Sequence, residues 1–143
     1  MPIPEFRPDG YLPLGVHRAT QEEVVQRFGK ATARRQVLME RVSEWLVLAR
    51  ALGAHRLLLD GSFVTAKPEP GDVDAVCWLP NDFEGQYVAQ MPEAVRVYEM
   101  LATRCPAELF GVFGRERWEE WIAFFSQTRE LDGRLKGLVE VRL

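Results

Sequence analysis

Two carboxylates have the spacing to hold a cation together: Asp72 and Asp74, in the run Pro70-Gly71-Asp72-Val73-Asp74-Ala75-Val76. In extended chain, side chains alternate between faces, so residues two apart project the same way. Two like charges held that close repel, and a divalent cation is the usual relief. An isolated Asp-x-Asp reads more readily as a loop cap followed by a solvent-facing strand residue. Here the pair follows a loop, Lys67-Pro68-Glu69-Pro70-Gly71, where solvent and a metal can reach it. Gly61-Ser62 closes the preceding apolar run. A glycine lets another group approach the backbone closely, and a serine hydroxyl with neighbouring N–H groups can hold a phosphate. Lys67 adds a positive charge. The set points to a nucleoside triphosphate site, with Mg²⁺ (or Mn²⁺) on Asp72 and Asp74 and the phosphates on Gly61, Ser62 and Lys67. The glycines form neither Gly-x-x-x-x-Gly-Lys nor Gly-x-Gly-x-x-Gly, so a P-loop or dinucleotide fold has no support.

These residues need elements to position them. Arg56-Leu57-Leu58-Leu59-Asp60 reads as a buried strand that delivers Gly61-Ser62, and 72–79 as a second strand that carries both acids. Upstream, Pro2, Pro4, Pro8 and Pro13 mark 1–19 as an extended arm lying on the body. Thr20-Gln21-Glu22-Glu23 is a capping box opening a short helix that stops at Gly29. A long helix over 31–52 has Leu38, Val42, Trp45, Leu46, Ala49 and Leu52 on one stripe. Pro92 opens a helix running to about 104, 107–110 is a third strand, and 115–127 is a helix with Trp118, Trp121, Ile122 and Phe125 on one side. The alternating run 138–143 predicts a half-buried final strand. The fold class is α+β: a small mixed β-sheet flanked by helices.

The chain has 143 residues, 47% hydrophobic and 27% charged, which suits one folded domain and excludes a mostly disordered chain. A formal net charge of -3 argues against a protein whose main task is coating nucleic acid. Two cysteines, Cys77 and Cys105, are too few for a disulfide framework or a zinc cluster, and both read as structural. With no apolar run near ~20 residues and no leader-like start, the expected compartment is the cytoplasm, with no membrane contact.

Leu59-Asp60-Gly61-Ser62-Phe63-Val64-Thr65 followed by Pro70-Gly71-Asp72-Val73-Asp74 resembles the Gly-Ser … Asp-x-Asp core of the polymerase-β-like nucleotidyltransferase superfamily. Together with Leu12-Pro13-Leu14-Gly15-Val16-His17 and Lys136-Gly137-Leu138-Val139, it resembles more closely a small bacterial family of minimal nucleotidyltransferase-like proteins. The resemblance implies a nucleotidyltransferase-like sheet and Mg²⁺-dependent transfer of a nucleoside monophosphate from a triphosphate to a hydroxyl. It places phosphate on Gly61 and Ser62 and metal on Asp72 and Asp74. The superfamily's third acid, usually Asp on a later strand, matches Glu108 here, a catalytic and metal-liganding position one methylene longer; Glu140 is the runner-up.

A chain this short leaves little room for a separate substrate domain, so the expected acceptor is a protein or RNA. Small members of the superfamily often work with a helical partner in toxin–antitoxin or defence pairs, which makes such a partner an expectation by analogy. The alternatives are a catalytically inactive nucleotide-binding module and a partner-binding, antitoxin-like module. Among the remaining candidates, Arg27, Lys30, Arg34, Arg35 and Arg41 could meet RNA, but the interspersed glutamates favour a solvated helix face. Arg129, Arg134 and Lys136 either reach a triphosphate or close a hairpin. His17 and His55 have no metal-ligand spacing, and His17 reads as a hydrogen-bonded arm residue.

Overall fold

The computed structural model of the chain describes residues 3–104 and 108–143. Cys105 and the first residue of the expected 107–110 strand lie outside them. The elements run β1 (Val16–Ala19), α1 (Gln21–Phe28), α2 (Ala33–Leu52), β2 (Arg56–Asp60), β3 (Asp74–Trp78), α3 (Phe83–Val88), α4 (Pro92–Thr103), β4 (Glu108–Val112), α5 (Arg115–Phe125) and β5 (Leu138–Val141). A single 3₁₀ turn, Ser62–Val64, follows β2. The five strands form one mixed sheet in the order β1-β5-β2-β3-β4. The α+β class expected from the sequence is the class observed.

Local chemistry explains most element ends. Thr20 and Glu23 exchange both capping-box hydrogen bonds at the start of α1. Thr32 caps α2, and Gly53, in the left-handed region at φ 75°, ends it. Strand residues alternate between two apolar clusters. Leu57, Leu59, Ala75, Cys77, Leu109 and Val139 pack with α1, α2 and α4. Leu58, Val76, Val112 and Leu138 face Trp118 and Phe125 of α5. Helices therefore cover both faces of the sheet, and the buried apolar side chains supply the main driving force.

The structure differs from the sequence reading in four places. β1 lies inside the segment read only as an arm, and it pairs parallel to β5, Val16 opposite Leu138 and Ala19 opposite Val141. The short helix α3 was not anticipated. β3 begins at Asp74 rather than at 72, which leaves Asp72 in the loop before it. β5 is fully buried rather than half-buried. Its Glu140 tolerates this because Arg18 and Arg56 approach its carboxylate, at 3.6 and 3.2 Å.

The Leu12–His17 and Lys136–Val139 motifs prove to be one unit. The Gly137 N–H donates to Leu12 O and the Leu138 N–H to Gly15 O, each at 2.9 Å. His17 Nε2 lies 2.7 Å from Pro13 O, as a hydrogen-bonded arm residue should. A Cβ on Gly137 would stand 2.0 Å from Pro13 O, so no other residue fits there.

Candidate functional site

Three acids share one row across the sheet. Asp60, the last residue of β2, is paired in register with Asp74, the first of β3. Asp74 is in turn paired with Glu108, the first of β4. Registered partners project from the same face, here the one that carries Leu58 and Val76 towards α5. Asp72 stands two residues before Asp74 on the same side, because Val73 between them is buried in the opposite cluster. The reasoning from alternation therefore holds although Asp72 is not in the strand.

The chain crosses itself at Gly61. This residue has φ 92°, and a Cβ on it would meet Asp72 O at 2.9 Å and Val73 Cα at 3.1 Å. Glycine is thus demanded by the close approach of the two segments. Ser62 then fastens Asp72: its N–H and its hydroxyl both donate to Asp72 Oδ1, at 2.9 and 2.6 Å. The Ser62 hydroxyl also accepts from the N–H groups of Gly71 and Asp72. A phosphate at this turn would have to take over a donor that Asp72 now holds.

Two arginines from α2 secure the same loop. Arg35, 5% exposed, donates to the carbonyls of Phe28, Phe63, Thr65 and Lys67. Arg34 donates to Pro70 O and Gly71 O. Arg27 similarly holds Ile3 O and Pro4 O. The guanidinium groups of these three hold backbone carbonyls instead of standing free on a solvated helix face.

Asp60, Gly61, Ser62, Lys67, Asp72, Asp74 and Glu108 all line one cleft of about 990 Å³. Of the expected site residues, Gly61, Ser62, Lys67, Asp72, Asp74 and Glu108 are thus brought to one cleft, and the alternative acid Glu140 is not. Arg129 and Lys136 also line it, whereas Arg134 is engaged by Asp132 and Asp9. Phe110, Phe124 and Phe125 give the cleft an aromatic wall. Glu140 sits one row further along the sheet, opposite Leu58, and is held by its two arginines away from the cleft. Asp60 is the acid that sequence reasoning missed. In the sequence it is only the last residue of a buried strand; its register with Asp74 shows its place. Lys136 Nζ meets Asp60 Oδ1 at 2.7 Å, with both side chains nearly buried.

The electrostatics reflect this crowding. Burial pushes the Asp74 carboxyl up to about 7, helped by repulsion from Asp72, Asp60 and Glu108 and opposed by Lys136. Burial also raises Asp60. Burial works the same way on Asp72, but the Ser62 hydrogen bonds outweigh it, with help from Lys136 and Arg129, and its carboxyl stays below the usual range. Among the described residues, no three His, Cys, Asp or Glu side chains are gathered tightly enough to close around one ion. Asp72 is turned to Ser62 and Asp60 to Lys136, which separates carboxylates that repel. As a donor set they fit a hard divalent cation: all are carboxylate oxygens, they face one cleft, and Asp74 has no hydrogen-bond donor of its own among the described residues.

A family model, described as a family of unknown function (DUF6932), matches residues 4–142. The chain belongs to this family. No curated protein and no solved structure matches it. Membership covers the β1–β5 unit, the Gly61 crossing and the acid row alike. Among the described residues, no helix is long and apolar enough to cross a membrane.

Proposed function

We propose that this chain is a nucleotidyltransferase that moves a nucleoside monophosphate from a nucleoside triphosphate to a hydroxyl on a protein or RNA. The observation that carries this reading is the register of Asp74 with Glu108, beside Asp72 and the Gly61–Ser62 turn, on one cleft. Asp72 and Asp74 would hold Mg²⁺ (or Mn²⁺), with Glu108 as third acid. The cation, when bound, supplies positive charge against the phosphate oxygens. Lys67 and Arg129, both exposed in the cleft, add charge for the outer phosphates. In the transfer, the acceptor oxygen bonds to the α-phosphorus, the bond from that phosphorus to the bridging oxygen breaks, and pyrophosphate leaves. Glu108, exposed at the start of β4, takes the proton of the acceptor hydroxyl. The cleft volume lies at the upper end of the roughly 300–1,000 Å³ usual for small-molecule sites, which leaves room for an acceptor group beside a nucleotide.

The test is incubation of the purified chain with each of the four α-³²P-labelled triphosphates, Mg²⁺ and a cell lysate. Label should pass to a protein or RNA, and chelation of Mg²⁺ or the double substitution Asp72→Asn, Asp74→Asn should abolish it. Absence of any Mg²⁺-dependent nucleotide binding in a parallel titration contradicts the reading. A catalytically inactive nucleotide-binding module is the second reading, favoured by the commitment of both Ser62 donors to Asp72. Binding of a triphosphate without transfer would select it.

A further inference from the structure

We propose that the exposed ring of Phe124 is the platform on which the base of the nucleotide stacks; this deepens the reading of the cleft as a nucleoside triphosphate site and rests on it. β4 carries Glu108 and, two residues on, Phe110, so the two project from the same face. An aromatic cluster therefore begins directly beside the acid row. The Phe110 ring lies 4.3 Å from that of Trp121, and Phe125 packs edge-on against both, at 6.3 and 5.2 Å. The Arg104 guanidinium lies 4.7 Å from the centre of the Phe110 ring. These rings are already engaged by the protein itself. Phe124, in the last turn of α5, lines the same cleft and is 61% exposed. It meets Trp121 edge-on at 5.6 Å and Phe125 at 6.0 Å, which steadies the ring without covering it. The buried side chains of α5 are Trp118 and Phe125, so the helix does not need Phe124 for its core.

The occupant follows from how the cleft is divided. One part is charged, with the acid row and Lys67, and the other is an aromatic wall. A nucleoside triphosphate has the same division, an anionic chain at one end and a flat aromatic base at the other. With the phosphates at Gly61–Ser62 and the α-phosphorus facing Glu108, the sugar and base continue past Glu108 towards Phe110 and Phe124. Gln127 is exposed at the rim of the wall, with no side-chain hydrogen bond among the described residues. A free amide suits the polar edge of a base, which a purely apolar ligand lacks. Stacking on one aromatic side chain strengthens binding by roughly 5- to 150-fold, whichever base is present.

The experiment measures calorimetric affinities of the full chain for ATP, GTP, CTP, UTP and inorganic tripolyphosphate, each with Mg²⁺, for wild type, Phe124→Leu and Phe124→Trp. The best of the four nucleotides should bind wild type about 10-fold or more tighter than tripolyphosphate, which has no base. Phe124→Leu keeps an apolar side chain but no ring; it should lose that advantage and bind tripolyphosphate as wild type does. Phe124→Trp should retain it. Nucleotides that bind wild type no tighter than tripolyphosphate overturn the base platform and leave the phosphate site standing. Phe124→Leu with unchanged nucleotide affinity overturns it too, and if transfer to lysate then falls, the wall serves the acceptor. A loss of tripolyphosphate binding as large as that of the nucleotide shows a general disturbance of the cleft and overturns it as well. No binding of any of the five overturns the nucleotide site and this inference with it.

Discussion

Asp74→Asn should make the metal-free protein more stable at pH 8 while removing its response to Mg²⁺. The Asp74 carboxyl is pushed up to about 7 in the folded chain, first by burial and then by Asp72, Asp60 and Glu108. An unfolded aspartate titrates near ~3.9. The folded state therefore binds the proton more tightly, so stability falls as pH rises between these two values. The penalty is absent below about pH 4 and complete above about pH 7. A shift of about three units corresponds to an upper limit of ~4 kcal/mol. Asp74 is only half-buried, and screening by water brings the expected figure to roughly 1–2 kcal/mol. Asparagine keeps the shape and carries no charge, so Asp74→Asn should melt roughly 3–8 °C above wild type at pH 8. Near pH 4.5 the two should nearly coincide. Adding Mg²⁺ at pH 8 should raise the melting temperature of wild type and leave the variant unmoved. Thermal melts of both proteins at the two pH values, with and without Mg²⁺, read all four quantities. An Asp74→Asn variant no more stable than wild type at pH 8, or equally favoured at both pH values, refutes the reasoning.

Glu108→Gln should bind nucleotide with affinity within about threefold of wild type, since Asp72 and Asp74 remain, but should lose at least ~100-fold in transfer because proton removal is gone; titration and single-turnover labelling separate the two effects. Ser62→Ala removes the 2.6 Å hydroxyl bond to Asp72 and the acceptor for the Gly71 and Asp72 N–H groups, so it should cost ~1–2 kcal/mol in urea unfolding. It should also weaken triphosphate binding more than monophosphate binding, as measured by calorimetry. Arg35→Ala leaves the Phe28, Phe63, Thr65 and Lys67 carbonyls without their donor and should destabilise by ~3–5 kcal/mol in the same unfolding assay.

Asp72 and Asp74 were legible because strand alternation is local: they must share a face, and the apolar run before Gly61 delivers Ser62 at the end of the preceding strand, whereas Glu108 came only from the resemblance to the superfamily. The capping box of α1 and the glycine stop of α2 were legible for the same reason. What escaped depends on pairings distant in sequence. β1 sits in a proline-rich segment and is recruited only by β5, whose register with it nothing local announces. Asp60 looks like an ordinary strand end until β2 is laid against β3. Arg34 and Arg35 look like a charged helix face because their partners are main-chain carbonyls of a loop more than a turn of chain away. Glu140 breaks an otherwise apolar strand and suggests exposure, yet Arg18 of β1 and Arg56 of β2 flank it from both sides.

The most direct measurement is a crystal structure of the chain grown with Mn²⁺ and a non-hydrolysable analogue of whichever triphosphate binds, with Mn²⁺ located by anomalous scattering. The account predicts a manganese peak liganded by carboxylate oxygens of Asp72 and Asp74, with the phosphates at the Gly61–Ser62 turn and the α-phosphorus facing Glu108. A manganese ion bound elsewhere, or a nucleotide outside the cleft of the acid row, contradicts it.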